Sequence, residues 1–173
     1  MPLPILIEFK RYKAIVDKTL EQLSDAQLNH VPYPDGNSIA MIIRHLSGNL
    51  TSRFTDFLTS DGEKAWRNRE QEFAEGVYDR KELVKNWEAA WAILMRAVES
   101  VELEAVNTFV VIRGIALTAE EALNRSASHI AYHAGQIVLL GRMYQGEDWE
   151  WITIPRGKSA EYNANPTMEK SLK

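Results

Sequence analysis

The stretch Ser126-Ala-Ser-His-Ile-Ala-Tyr-His-Ala-Gly-Gln136 sits inside the longest helical pattern of the chain. His129 and His133 stand four apart, so on a helix they occupy one face, one turn from each other. Two imidazoles in that relation can grip one transition metal ion. With Ile130 at the centre of the apolar face, Leu123, Ala127, Ala134, Ile137 and Gly141 fall close to it at about 100° per residue. The histidines lie along one edge of this stripe, in line with Ala122, Ser126 and Leu140, and so point toward a helix-bundle interior. Gln136, three past His133, continues the edge. A histidine pair at this spacing is also met as ordinary hydrogen-bonded core residues, so a third ligand is the deciding feature, and only His30 and His45 remain to supply it.

Working outward, Thr118 and Glu121 form a capping box that launches this helix, which then runs to about Tyr144, roughly 40 Å at about 1.5 Å per residue. Gly146 and Asp148 stop it. Before it, residues 107–117 are rich in β-branched side chains and turn at Arg113-Gly114, the pattern of a small hairpin. A third helix spans Asp79, whose box partner is Glu82, to about Ser100, with Leu83, Trp87, Ala90, Trp91, Leu94 and Val98 as its buried face. Residues 62–78 read as a charged connection that packs Trp66, Phe73 and Tyr78 over the bundle.

The first helix starts at Pro4 and carries Ile5, Phe9, Tyr12, Val16, Leu20 and Leu23 at helical spacing. Ser24 opens a connection with a short turn at 24–27, and His30 in that loop has no assigned role. Ser38 caps the second helix, which runs to about Leu58 with Ile39, Ile43, Leu46, Leu50 and Phe57 on its core stripe. Beside that stripe runs a polar line of Ser38, His45, Asn49, Ser52 and Asp56. Its upper part faces either a cavity or solvent, and Ile42 on the same edge favours the cavity.

Four amphipathic helices imply an all-α, four-helix-bundle domain over residues 1–163, with a small β-hairpin before the last helix and residues 164–173 as a disordered tail. If the second and fourth helices are neighbours, His45 faces His129 and His133. Three neutral imidazoles with a fourth position open are the pattern of a reactive divalent site. Asn49 and Gln136, each beside a ligand, are candidates to orient ligands or bind substrate. Arg156 and Lys158 are candidates to receive the carboxylates of an anionic thiol, or else form a solvated basic turn. Arg53, two turns beyond His45, reads as a surface or interface charge. Arg156-Gly-Lys-Ser159 lacks the leading glycine and strand-to-helix context of a phosphate loop.

Composition narrows the function classes. The 173 residues suit one well-buried domain. A net charge of −4 and the lack of any basic run argue against nucleic acid. There is no cysteine, so any thiol in the chemistry comes from outside. The N-terminus lacks the order of a signal peptide and no apolar run reaches membrane-spanning length, which points to the cytoplasm and away from a membrane.

Five pieces, in order, carry a family resemblance: Ile42-Ile-Arg-His45-Leu-Ser-Gly-Asn49; Thr108 to Gly114; Glu121-Ala-Leu-Asn-Arg125; His129-Ile-Ala-Tyr-His133-Ala-Gly-Gln136-Ile; and Ile154-Pro-Arg-Gly-Lys158-Ser. The sequence resembles the DinB/YfiT-like superfamily of metal-binding four-helix bundles, and within it the DUF1572 type. The resemblance implies that His45, His129 and His133 bind one divalent ion, commonly zinc or nickel. It also implies a homodimer, and a thiol-dependent S-transferase or isomerase that uses a low-molecular-weight thiol such as bacillithiol, mycothiol or glutathione, the thiol attacking an electrophile. A non-catalytic metal-binding or interaction protein is the alternative. A metal hydrolase is a third reading, weakened because no general base is evident on the same faces.

Overall fold

The computed structural model describes residues 3–101 and 105–167. Within them the chain is mostly helical. Four helices are long: α1 (Ile5–Gln22), α3 (Ile39–Phe54), α5 (Arg80–Ser100) and α6 (Ala119–Gln145). Short helices α2 (Asp25–Asn29), α4 (Arg69–Glu72) and α7 (Ser159–Ala164) lie between and after them. Strands β1 (Phe109–Ile112) and β2 (Ile115–Thr118) form the expected antiparallel hairpin, with Phe109 opposite Thr118 and Ile112 opposite Ile115. Arg113 and Gly114 both take positive φ in its two-residue turn, as the right-handed twist of the strands requires.

The helix starts follow from local chemistry. Thr118 and Glu121 form the full capping box that opens α6. Ser38 Oγ accepts from the Met41 amide at α3, and the Asp79 carboxylate accepts from the Glu82 amide at α5. The turn expected at 24–27 is the start of α2, where Ser24 and Gln27 cap each other reciprocally. Helix α3 ends at Phe54, four residues before the expected Leu58. Ser47, Thr51 and Thr55 each turn a hydroxyl back onto the carbonyl four residues earlier, and Thr55 then goes extended before Asp56 at φ 50°. Such back-bonding competes with helix continuation. Residues 159–164 are helical where none was expected. Of the tail expected to be disordered, residues 168–173 lie outside the described residues.

Helices α1 and α6 pack together, as do α3 and α5, and α3 meets α6 between the two pairs. The shared core is built from Phe9, Val16, Ile39, Ile43, Leu46, Leu50, Trp87, Trp91, Leu94, Ile130 and Ile137, all fully buried. All six residues anticipated on the face of α5 are buried. Trp87 stacks edge-on against Trp91 with ring centroids 5.3 Å apart, and its indole N–H donates to Asp17 on α1 at 2.7 Å. Of the aromatics expected over the core in 62–78, Phe73 and Tyr78 are half-buried, but Trp66 is 60% exposed.

The connection between α3 and α4 is tied at both ends. Ser52 Oγ donates to the Gly62 carbonyl and accepts from the Lys64 amide, both at 3.0 Å. The Asp61 carboxylate accepts from the amides of Glu63, Arg113 and Gly114 at 2.7–2.8 Å, clasping the hairpin turn. Those three amides hold its carboxyl below the usual range.

Gly141 marks where α1 and α6 come closest, because a Cβ there would lie 2.7 Å from the Thr19 methyl group. Gly135, on the same helix, faces open space. Gly141→Val should therefore destabilise the protein by about 1–3 kcal/mol through overpacking. Gly135→Ala should be stabilising by roughly 0.5–1 kcal/mol from helix propensity alone. Urea unfolding of the two variants checks both signs.

Candidate metal centre

Helix α6 presents His129 and His133 one turn apart, and α3 brings His45 against them. Their ligating nitrogens all lie within 4.8 Å of one another. His129 Nε2 is 3.2 Å from His45 Nε2 and 3.2 Å from His133 Nε2. A tetrahedral ion with bonds of about 2.0–2.1 Å separates its ligand nitrogens by roughly 3.4 Å, so this spacing fits.

Proton placement strengthens the fit. Glu72 Oε2 accepts from His45 Nδ1 at 2.9 Å, and Gln136 Oε1 accepts from His133 Nδ1 at 2.7 Å. With Nδ1 carrying the proton on both rings, each Nε2 turns a lone pair toward His129. A single N–H on His129 Nε2 satisfies at most one of them, whereas one cation satisfies all three rings. The residues present thus suit a divalent ion of the kind imidazole favours.

Burial, then the mutual repulsion of the cluster and nearby arginines, pushes His129 down to about 3. Burial also lowers His133, against the raising effect of its hydrogen bond to Gln136. Both rings are therefore neutral at pH 7, the form that binds metal.

Glu72 is the residue that sequence reasoning missed. It sits in the four-residue helix α4, inside a segment that read as plain connection. Its buried carboxylate receives His45 Nδ1 and, in bidentate fashion, Arg67 Nε at 2.8 Å and Arg67 Nη2 at 2.9 Å. Burial opposes its ionisation, but the bonds from His45 and Arg67 outweigh that and hold its pKa below the usual value. Gly48 makes the approach possible, since a Cβ there would lie 2.2 Å from Glu72 Oε1. A glycine mid-helix, in a chain segment otherwise rich in helix-compatible residues, was the available signal. Arg44 adds a bond from its guanidinium to the Glu72 carbonyl at 3.2 Å and stacks over the Tyr78 ring.

The upper polar line of α3 faces inward, with Ser38, His45, Asn49 and Ser52 all buried, while Asp56 is exposed. Phe73 covers one side of His45 at 4.7 Å between centroids, and Tyr132 stands edge-on to His133 at 4.9 Å. A cavity of about 200 Å³ is bordered by His45, His129 and Asn49 together with a group of arginines. Arg53 is among them and is 6% exposed, so it is an inward-facing residue and not the surface charge expected. It is turned inward because its helix face continues that of Asn49, above the clasped 55–64 loop. Gln136 supports His133 and does not border the cavity. Arg156 and Lys158 are exposed and away from it, Lys158 pairing with Glu161 at 2.9 Å. His30 stacks edge-on against Tyr144.

The sequence profile of a family described as "Protein of unknown function (DUF1572)" matches residues 4–158. The chain belongs to this family. No curated protein matches it. Among solved structures, the DUF1572 chain is similar to the "conserved protein of locus from Enterococcus faecalis", at 18% identity and a TM-score of 0.64. That match covers 85% of this chain and 99% of the other. At such identity the likeness speaks for the fold alone.

Two outcomes are expected. Glu72→Gln should lower zinc affinity roughly 10–100-fold, read by competition with a chromophoric chelator. The depressed histidine pKa values give the metal-free protein a stability that falls as pH drops below about 6.5, because the unfolded chain then binds protons that the folded one refuses. His129→Asn should flatten the decline between pH 7 and 5 in thermal melts. Glu72, whose contribution is lost only as pH falls below the ordinary carboxylate range, acts at lower pH.

Proposed function

We propose that this protein is a divalent-metal-dependent transferase that uses a low-molecular-weight thiol, built on a DinB-like four-helix bundle formed by α1, α3, α5 and α6. The observation that carries the reading is the convergence of three Nε2 atoms beside a cavity that His45 and His129 border. An ion held by the three imidazoles would keep a position for a small molecule, and His45 and His129 border the cavity from which one could reach it. Zinc or nickel is the ion in this reading. A divalent ion there supplies a Lewis acid that lowers the pKa of a coordinated thiol or water.

The chain's own groups divide the remaining work. Glu72, anchored by Arg67, fixes the His45 tautomer and keeps Nε2 free. Gln136 does the same for His133. Asn49 borders the cavity with a buried amide suited to orienting a substrate. Phe73 packs on the His45 ring and Tyr132 stands edge-on to His133. The thiol's sulfur bonds to an electrophilic carbon as that carbon's bond to its leaving group breaks, and the thiol proton passes to solvent. The absence of cysteine from the sequence requires that sulfur to be external. Glu72 is fully engaged by His45 and Arg67, which disfavours its use as the general base of a hydrolase.

In this reading the protein is cytoplasmic and homodimeric. No helix among the described residues is long and apolar enough to cross a membrane. Tyr132, Leu139 and Met143, spaced along one side of α6, are each more than 60% exposed. That stripe supplies apolar surface for a second copy, and light scattering on an eluting size-exclusion peak checks it.

Elemental analysis of untagged, natively purified protein should find about one divalent ion per chain, lost in His133→Ala with the helical circular dichroism retained. The metal-loaded protein should then consume an electrophile only when bacillithiol, mycothiol or glutathione is present. Metal without any thiol-dependent turnover would replace the transferase with the non-catalytic metal-binding alternative. Wild type that takes up no zinc or nickel would leave the histidines as core residues.

A further inference from the structure

We propose that the cavity beside the three histidines is an oxyanion seat, in which Arg53, Arg125 and Ser126 hold the carboxylate or phosphate end of the small-molecule substrate. The assignment rests on the metal-site reading for where the reacting atom lies, but the seat itself is built from independent observations.

The first is a surplus of positive charge around the cavity, with one member of it buried. Five arginines border the cavity: Arg53, Arg67, Arg69, Arg113 and Arg125. No carboxylate borders it with them. Arg67 is spent on Glu72 and Glu63, Arg113 shares Glu63, and Arg69 pairs with Glu70 at 3.4 Å. Arg53 and Arg125 make no ion pair among the described residues. Arg125 is exposed, but Arg53 is only 6% exposed. Glu63 attracts Arg53 without an ion pair between them, and a buried guanidinium with no bonded carboxylate is costly. Burial, then repulsion from Arg125, brings Arg53 down to about 10, so it remains charged at pH 7.

The second is a pair of orphaned polar atoms. Arg53 Nε and Ser126 Oγ are both buried without a hydrogen-bond partner, and both residues border the cavity. Ser126 is 2% exposed. Buried donors are almost always satisfied. Both atoms belong to residues that line one space, and a guanidinium and a hydroxyl are donors that an oxyanion accepts from, with the fork geometry of arginine adding a second bond.

The third is placement. Arg125 and Ser126 precede His129 by about one turn on α6, and Arg53 follows His45 by about two turns on α3. Because the helices contribute in opposite chain directions, both displacements run the same way. The seat therefore lies about 6–12 Å along the helices from the histidines. A ligand of a few bonds' length spans that gap, and a volume of about 200 Å³ is roughly seven waters' worth of space at about 30 Å³ each. The partner is thus a small anionic molecule and not a polymer. Carboxylate and phosphate share this chemistry, and the test separates them.

The experiment is isothermal titration calorimetry on the full-length, zinc-loaded protein in chloride buffer, with inorganic phosphate and succinate as probes. At least one should bind with a stoichiometry of one per chain at millimolar concentration or below. Binding of phosphate alone points to a phosphorylated substrate, and of succinate alone to a carboxylated one. Arg125→Gln, an exposed substitution that leaves the core intact, should weaken binding tenfold or more without changing zinc content. Arg53→Gln should weaken it further, and Lys158→Gln should leave it unchanged. Failure of both probes to bind, or binding indifferent to Arg125→Gln, would overturn the seat while leaving the metal site standing. Arginine-dependent anion binding in a wild type that takes up no zinc would keep the seat and sink the transferase.

Discussion

A carboxylate buried against a helix must be answered by cations or donors, and around Glu72 that requirement organises the α3–α4 region. Arg67 meets it with a two-pronged ion pair, and His45 meets it with one N–H. Both answers have structural consequences. Arg67 and Glu72 close the α3–α4 connection on itself, and Gly48 removes the one side chain that would keep it away from α3. His45 is left with a single orientation, in which its other nitrogen faces α6. The positions of the loop, the tautomer of the ring and the open space beside it are therefore one arrangement, not three separate facts.

The same region carries an electrostatic tension. Arginines gathered around a small cavity repel one another, and an apolar or mixed lining would be more comfortable for the folded chain. The acids at hand, Glu63, Glu70 and Glu72, neutralise some of them and leave the innermost one without a partner. The tension is confined to one face of an otherwise apolar helical core. The hairpin contributes Arg113 to that face, and the Asp61 clasp holds the hairpin turn there.

Much of the frame was legible in the sequence because it is periodic. The buried face of α5, the stripe of α6 around Ile130, the hairpin turn at Arg113-Gly114 and the Thr118–Glu121 cap are all local patterns with a local physical cause. The histidine triad was legible for the same reason, since two of its members share one helix and the third sits on a marked polar edge. What escaped is non-local. Glu72 lies in a single helical turn too short to show a period, and its meaning depends on Gly48, twenty-four residues earlier. Arg53 looked solvent-facing because a helix alone does not reveal a loop folded over its end. The early end of α3 came from hydroxyls competing for its own carbonyls, a cost that an apolar pattern does not register.

The three histidines are divided between the two helix pairs: His45 belongs to α3, which packs on α5, and His129 and His133 belong to α6, which packs on α1. The cluster therefore straddles the seam where the halves of the molecule meet. An ion held by all three rings would act there as a rivet, resisting the sliding of one pair past the other more than it would stiffen either pair alone. Slow opening of the protein should accordingly follow that line, and the breathing of the seam would set how readily small molecules enter and leave the space between the halves.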